Sequence, residues 1–256
     1  MTAAERNRLK HRLAGGQLGL VSGNYETPDM IDLAGSLGVF DGVWIDMEHG
    51  AAGVESLADL SRAADVWGLT SLVRVAALDA AAIGLALSQG VDGVIVPHVT
   101  TRDQAELAVE AAKFPPAGRR GAAGGRRSYG RTVAEHQEQA NRETLVAVMI
   151  EDAAAVENLP AILTVQQVDL LFVGRYDLAQ SLGLGSDVRH PKVVTAFDGA
   201  IESIVAAGRV AGAVVGEEEL EKYLALGVRC IKTPTWQSYI SAGARLFGER
   251  ARGVRL

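Results

Sequence analysis

The stretch Leu145-Val146-Ala147-Val148-Met149-Ile150-Glu151 runs through apolar residues and closes on a carboxylate. An unbroken apolar run bounded by polar residues and followed by a helical pattern reads as a strand buried on both faces. A second run, Val168-Asp169-Leu170-Leu171-Phe172-Val173-Gly174, is followed three residues later by Asp177. If the two are neighbouring parallel strands, Glu151 and Asp177 emerge at the same end of the sheet. Two carboxylates converging there suit a hard divalent cation held by oxygen, with positions left for water and substrate. Taken alone, the same residues also fit a helix cap at Glu151 and a surface charge at Asp177.

Comparable runs recur along the chain, at Gln17–Val21, Gly42–Asp46, Ser71–Val75, Gly93–Pro97, Ala211–Val215 and Cys230–Lys232. With Leu145–Glu151 and Leu170–Gly174 they make eight strands, the number a closed (β/α)8 TIM barrel needs. The segments between them carry helical spacing, as in Gln104, Leu107, Ala108, Ala111 and Ala112, with Thr101 and Asp103 as caps. No linker or low-complexity segment divides the chain, so residues 1–256 are expected to form a single α/β barrel domain. The longest interruption, Phe114 to Arg131, contains Pro115-Pro116 and several glycines; a loop this long in a compact domain is usually functional or disordered. An additional helix is expected over Thr132 to Asn141.

The chain has 256 residues, is 48% hydrophobic and carries a formal charge of −6. That balance supports a large core and argues against nonspecific binding to nucleic acid or an anionic membrane. The single cysteine, Cys230, lies in an apolar run, which excludes an internal disulfide and predicts a buried thiol. Met1 to Leu13 is polar and charged, without the apolar stretch of a signal peptide, and no apolar segment reaches membrane-spanning length. A cytoplasmic location is expected.

Several strand ends carry reactive side chains. Val43-Trp44-Ile45-Asp46-Met47-Glu48-His49-Gly50 places Asp, Glu and His within four positions, and His49 is suited to proton transfer near neutral pH. Arg74, in Leu72-Val73-Arg74-Val75, is costly to bury without an anionic partner. It fits either stabilisation of a developing oxyanion or an ion pair with an internal carboxylate. Gly174-Arg175-Tyr176-Asp177-Leu178 opens a helix whose free amides could receive a carboxylate, or is a purely structural turn. Arg119, Arg120, Arg126, Arg127 and Arg131 could read a second carboxylate or a polyol on a substrate, or form a solvated loop facing another subunit.

In order and spacing these pieces resemble the HpcH/HpaI family of metal-dependent class II pyruvate aldolases. The resemblance spans roughly Leu18 to Phe247. It rests on Asp46-Met47-Glu48-His49, Leu72-Val73-Arg74, Gly90-Val91-Asp92-Gly93-Val94-Ile95-Val96-Pro97, Phe114-Pro115-Pro116-Ala117-Gly118-Arg119-Arg120-Gly121, Ile150-Glu151, Glu157 to Leu163 and Gly174 to Leu178. It implies a (β/α)8 barrel with an exchanged C-terminal helix, assembled as a homo-oligomer, a dimer-based hexamer. Glu151 and Asp177 resemble ligands of a divalent cation, Mg²⁺ or Mn²⁺ with Co²⁺ also accepted. His49 resembles the acid–base residue, and Arg74 the residue on the keto oxygen of pyruvate. Backbone amides from Gly174 to Asp177, Tyr176 included, would receive the pyruvate carboxylate, and Arg120 matches the family's arginine in its loop, a candidate for substrate binding. The C-terminal segment, with Tyr239, Ile240, Ala244 and Leu246–Phe247 as an apolar stripe, could dock on a neighbour or cover its own barrel.

The implied activity is cleavage or formation of 4-hydroxy-2-oxo acids from a 2-oxo acid and an aldehyde through a pyruvate enolate. Oxaloacetate decarboxylation or a related condensation uses the same enolate, and a non-catalytic barrel that binds a keto acid is the alternative of another class. Three positions depart from the family pattern. Ser88 replaces an aspartate paired with the histidine, Met149 replaces a glutamine beside the metal, and Gly174-Arg175-Tyr176-Asp177-Leu178-Ala179 replaces Gly-Pro-x-Asp-Leu-Ser.

Overall fold

A computed structural model describes residues 6–122 and 124–253. Eight parallel strands close into a barrel: β1 (Gly19–Gly23), β2 (Gly42–Asp46), β3 (Thr70–Arg74), β4 (Gly93–Val96), β5 (Leu145–Ile150), β6 (Leu170–Val173), β7 (Ala211–Val214) and β8 (Cys230–Thr235). All eight expected strands are present, with shifted edges. β1 begins two residues late because the Gln17 N–H donates to Arg12 O at 2.9 Å and so completes the turn of the preceding helix. β8 continues beyond Lys232 to Thr235.

The strands are apolar on both faces because each looks into two cores. Val43, Ile45, Val94, Val96, Val146 and Val148 pack against the surrounding helices, while Trp44, Leu72, Ile95, Ala147, Met149 and Phe172 fill the barrel interior. Cys230 belongs to that interior, where burial pushes its thiol up to about 12.

The N-terminal end of the barrel is closed by the helix Arg8–Ala14. Its Leu9 and Leu13 are buried in the interior cluster; a fully buried Leu contributes about 2–3 kcal/mol. Its basic residues meet aspartates that precede the even-numbered strands. Arg8 and Arg12 pair with Asp41, Lys10 with Asp169 and, just before the helix, Arg6 with Asp92. Each of these aspartates also accepts a backbone N–H from the preceding strand: Asp41 from Leu20, Asp92 from Ser71 and Asp169 from Val146. The charged segment that precedes β1 is therefore partly a stopper for the barrel.

The segment Phe114 to Arg131 lies at this same end, because it leads from the helix Arg102–Ala112 back to the start of β5. Arg126 and Arg127 pair with Asp65, and the Arg127 Nε donates to Gly90 O at 2.8 Å. The following helix is Val133–Glu143, opened by a reciprocal cap between Thr132 and Glu135. At the other terminus, the helix Trp236–Gly253 buries none of its residues. Tyr239, Ile240, Leu246 and Phe247 are at least half exposed, so this helix does not cover its own barrel. Among the described residues no helix is long and apolar enough to cross a membrane.

Candidate active site

At the C-terminal strand ends lies a cavity of about 570 Å³, lined by His49, Arg74, Glu151, Gly174, Tyr176 and Asp177 among others. Six of the seven residues proposed from sequence thus meet in one space. The seventh, Arg120, does not. It is buried at the opposite end, over the Phe114 ring at 4.6 Å, beside a small cavity shared with Arg127 and His136. A connection from a helix back to a strand returns on the N-terminal face of a barrel, which carries the arginine loop away from the mouth of its own subunit.

Glu151, the residue after β5, is fully buried. Its Oε1 accepts the His98 N–H at 3.0 Å, while Oε2 is buried without a hydrogen-bond partner. Burial, reinforced by the charges of Asp177 and Glu48, pushes this carboxyl up to about 7 against the opposing effect of His98. Gly174 makes the close approach possible: a Cβ there would stand 2.6 Å from Glu151 Oε2. An orphaned buried oxygen with a second carboxylate nearby is a donor set that fits a hard divalent cation. Among the described residues no three His, Cys, Asp or Glu side chains converge as a ready-made cage, so water and substrate would have to complete the coordination.

Arg74 ends β3 at the floor of the cavity. Its Nε donates to Asp46 Oδ1 at 2.9 Å and its Nη2 to Asp46 Oδ2 at 2.5 Å, while Nη1 lies 2.6 Å from Glu48 Oε2. Register explains the first pair, since Asp46 and Arg74 are direct partners across β2 and β3. Burial opposes ionisation of Asp46, but the bonds and charge of Arg74 outweigh it and hold the carboxyl below the usual range. The internal ion pair expected as one reading of Arg74 is therefore present. It leaves some of the five guanidinium N–H donors for a ligand.

His49 sits at the rim with its side chain 63% exposed, and its Nε2 lies 3.8 Å from Glu48 Oε2. The Gly174 N–H donates to Ile150 O at 3.1 Å and is committed to the sheet. No side chain caps the helix Arg175–Ser181, so the free amides of the expected carboxylate cradle are those of its first turn. Arg175 does not crowd them. Its guanidinium pairs with Glu219 at 3.0 Å, bonds Tyr223 and stacks on Phe197.

Two residues escaped the sequence reading. His98 follows Pro97 at the end of β4 with φ 52°, a left-handed conformation that costs a non-glycine residue about 1–2 kcal/mol. That turn aims its N–H at Glu151, while its Nδ1 lies 3.0 Å from Asp152 Oδ2 and its Nε2 3.5 Å from Glu48 Oε1. Burial lowers the affinity of the imidazole for a proton, but Asp152, Glu151 and Glu48 together raise it above the ordinary histidine range. The signal was available, since His98 stands at a strand end as His49 does. Lys232, on β8, is the second; the sequence reading placed it only at the end of an expected strand.

Comparison with known proteins identifies relatives over nearly the whole chain. The family described as HpcH/HpaI aldolase/citrate lyase matches residues 22–233. A 4-hydroxy-2-oxo-heptane-1,7-dioate aldolase of Klebsiella pneumoniae is 34% identical, over 95% of this chain and 93% of its own. A hydroxypyruvate/pyruvate aldolase of Pseudomonas aeruginosa is 33% identical, over 96% of this chain and 93% of its own. Among solved structures, citrate synthase SbnG superposes with a TM-score of 0.85 at 30% identity, covering 96% of this chain and 98% of that one. The chain belongs to the HpcH/HpaI aldolase/citrate lyase family.

Proposed function

We propose that the protein is a divalent-metal-dependent carbon–carbon lyase that cleaves or forms 4-hydroxy-2-oxo acids, with Glu151 and Asp177 as metal ligands. The observation that carries this reading is the buried, unpartnered Oε2 of Glu151 in a cavity it shares with Asp177. A bound divalent cation supplies Lewis-acid polarisation of the 2-oxo acid; Mg²⁺ and Mn²⁺ both suit carboxylate ligands.

The chain's own groups do the rest. Arg74, fixed between Asp46 and Glu48, offers its remaining N–H donors to the keto oxygen as negative charge develops there. The first-turn amides of Arg175–Ser181 receive the carboxylate of the 2-oxo acid. His49, at the rim, moves the proton on the aldehyde-derived oxygen. Pyruvate-dependent consumption of an aldehyde in the presence of Mg²⁺ or Mn²⁺ tests the activity. No consumption with any of several aldehydes and either ion would falsify it.

The likeness to citrate synthase SbnG favours a second reading, in which the same enolate condenses with or derives from a different partner. Oxaloacetate turnover faster than aldehyde consumption would establish it. The exposed apolar stripe of Trp236–Gly253 supports a homo-oligomer in which this helix packs on a second copy. Light scattering that returns the monomer mass contradicts that assembly.

A further inference from the structure

The arginine of the Phe114–Gly121 motif is buried at the closed end of the barrel without a counter-charge. Arg120 is 7% exposed, its Nε has no hydrogen-bond partner, and among the described residues no carboxylate pairs with it. Burial alone acts on the guanidinium and lowers it to about 10, so it stays charged at neutral pH. The Phe114 ring lies 4.6 Å from it, and a cation–π contact offsets only part of the cost of taking an ion out of water. The backbone keeps the side chain in place. The Arg120 N–H donates to Lys113 O at 2.8 Å, and the Arg119 N–H to Glu110 O at 2.7 Å.

The guanidinium lines a cavity of about 20 Å³, enclosed by the loop, the helix Val133–Glu143 and the segment around Arg6. That volume suits a single particle of the size of water or slightly more. Two more unpartnered nitrogens belong to residues of its wall: Nε of Arg6 and Nε2 of His136, a residue only 4% exposed. Glycine at position 124 keeps open the space in front of His136, since a Cβ there would stand 2.7 Å from Nε2.

Charge decides what the cavity takes. Arg6, Arg120, Arg126 and Arg127 gather at this end, but the first, third and fourth already share Asp65 and Asp92. Glu143, also in the wall, accepts from the Asn7 N–H and lies 2.9 Å from His11 Nε2 and 3.2 Å from Arg142 Nε. No described carboxylate is left for Arg120. Water would satisfy a donor there without balancing the charge, whereas an anion does both. The same anion suits His136. Burial and then the charge of Arg120 disfavour its protonated form, which presents N–H at Nε2, and an anion offsets that charge.

We propose that this cavity binds a monatomic anion of the chloride class, held by Arg120 with Arg6 and His136 around it, and that the anion pins the arginine loop to the closed end of the barrel. The site is independent of the proposed lyase chemistry, which belongs to the opposite strand ends.

The test follows thermal unfolding of the full chain in sodium chloride and in sodium gluconate at equal sodium concentration, gluconate being too large for the cavity. At a tenfold excess of chloride over its dissociation constant, the wild-type midpoint should stand about 3–5 °C above that in gluconate. Arg120→Met should abolish the difference and, in gluconate, should unfold no earlier than the wild type, because it no longer buries an unneutralised charge. A chloride effect of equal size in both proteins, or none in the wild type, overturns the proposal. A second measurement needs no variant and serves if Arg120→Met fails to fold. Crystals of the wild type grown in bromide should show an anomalous peak within hydrogen-bond reach of the Arg120 guanidinium. Density there without anomalous signal overturns the proposal, and a peak without any chloride-dependent midpoint marks an adventitious ion only and overturns it too.

Discussion

The two ends of this barrel put their buried charge to different uses. At the N-terminal end every aspartate that precedes an even-numbered strand up to β6 is matched by a backbone N–H and a basic side chain. Asn7 is satisfied in the same manner, donating to Asp92 O and Glu143 O and accepting from Thr70. At the C-terminal end Glu151 Oε2 and Asn24 Oδ1 have no hydrogen-bond partner among the described residues, and the buried Lys232 ammonium meets only the Trp44 ring. Unpartnered buried polar atoms also occur at the closed end, Arg6 Nε, Arg120 Nε and His136 Nε2 among them, but Glu151 and Asn24 line a cavity large enough for a substrate. The closed end holds the barrel shut, and the open end carries the proposed chemistry.

The contrast breaks most sharply if substitutions at the two ends have similar consequences. Asp177→Asn should lower metal-dependent turnover about a thousandfold or more, since Lewis-acid catalysis supplies several kcal/mol. Its midpoint of thermal unfolding should not fall. Leu9→Ala at the closed end should do the reverse, costing about 2–5 kcal/mol in denaturant unfolding with the KM for pyruvate unchanged.

Glu151 gives a pH signature. Its carboxyl is raised in the folded, metal-free protein to about 7, above its unfolded value near 4.5. The folded state therefore binds that proton more tightly, and stability is lost as pH rises from about 4.5 to 7. In chelator-treated protein, Glu151→Gln should remove this slope, a difference of up to about 3 kcal/mol at pH 8. Identical slopes in both proteins would show that the carboxylate is not desolvated as described.

The smallest effect sharpens the comparison at His98. His98→Asn, which tolerates φ 52°, should cost less stability than His98→Val by about 1–2 kcal/mol. Mn²⁺ affinity, followed by electron paramagnetic resonance, should fall more in the valine variant, because the turn that aims an N–H at Glu151 is strained further.

The closed end and the open end were not equally legible in the sequence. All eight strands could be read because each is buried on two faces and appears as a continuous apolar run, a signal that needs no partner to be seen. The strand-end position then made Glu151, Arg74, His49 and Asp177 conspicuous, and they do share one cavity. Chain ends and connections carried no such signal. The helix Arg8–Ala14 is seven residues long, too short for periodicity to separate Leu9 and Leu13 from a charged leader. Arg120 stood in a motif, but placing it required knowing at which end of the barrel its loop returns. His98 stood at a strand end as His49 does, but only the fold brings its N–H to Glu151. Asn24 and Lys232 were hidden for another reason: what marks them is a missing partner, visible only once the neighbours are in place.

The most direct test is the exchange of pyruvate methyl protons in deuterated water, followed by proton nuclear magnetic resonance with Mg²⁺ or Mn²⁺ added. Loss of the methyl signal with intact protein, abolished by chelator and by Glu151→Gln or Asp177→Asn, is the predicted result. Exchange that persists in the chelated protein or in either variant would contradict a cation held between these two carboxylates.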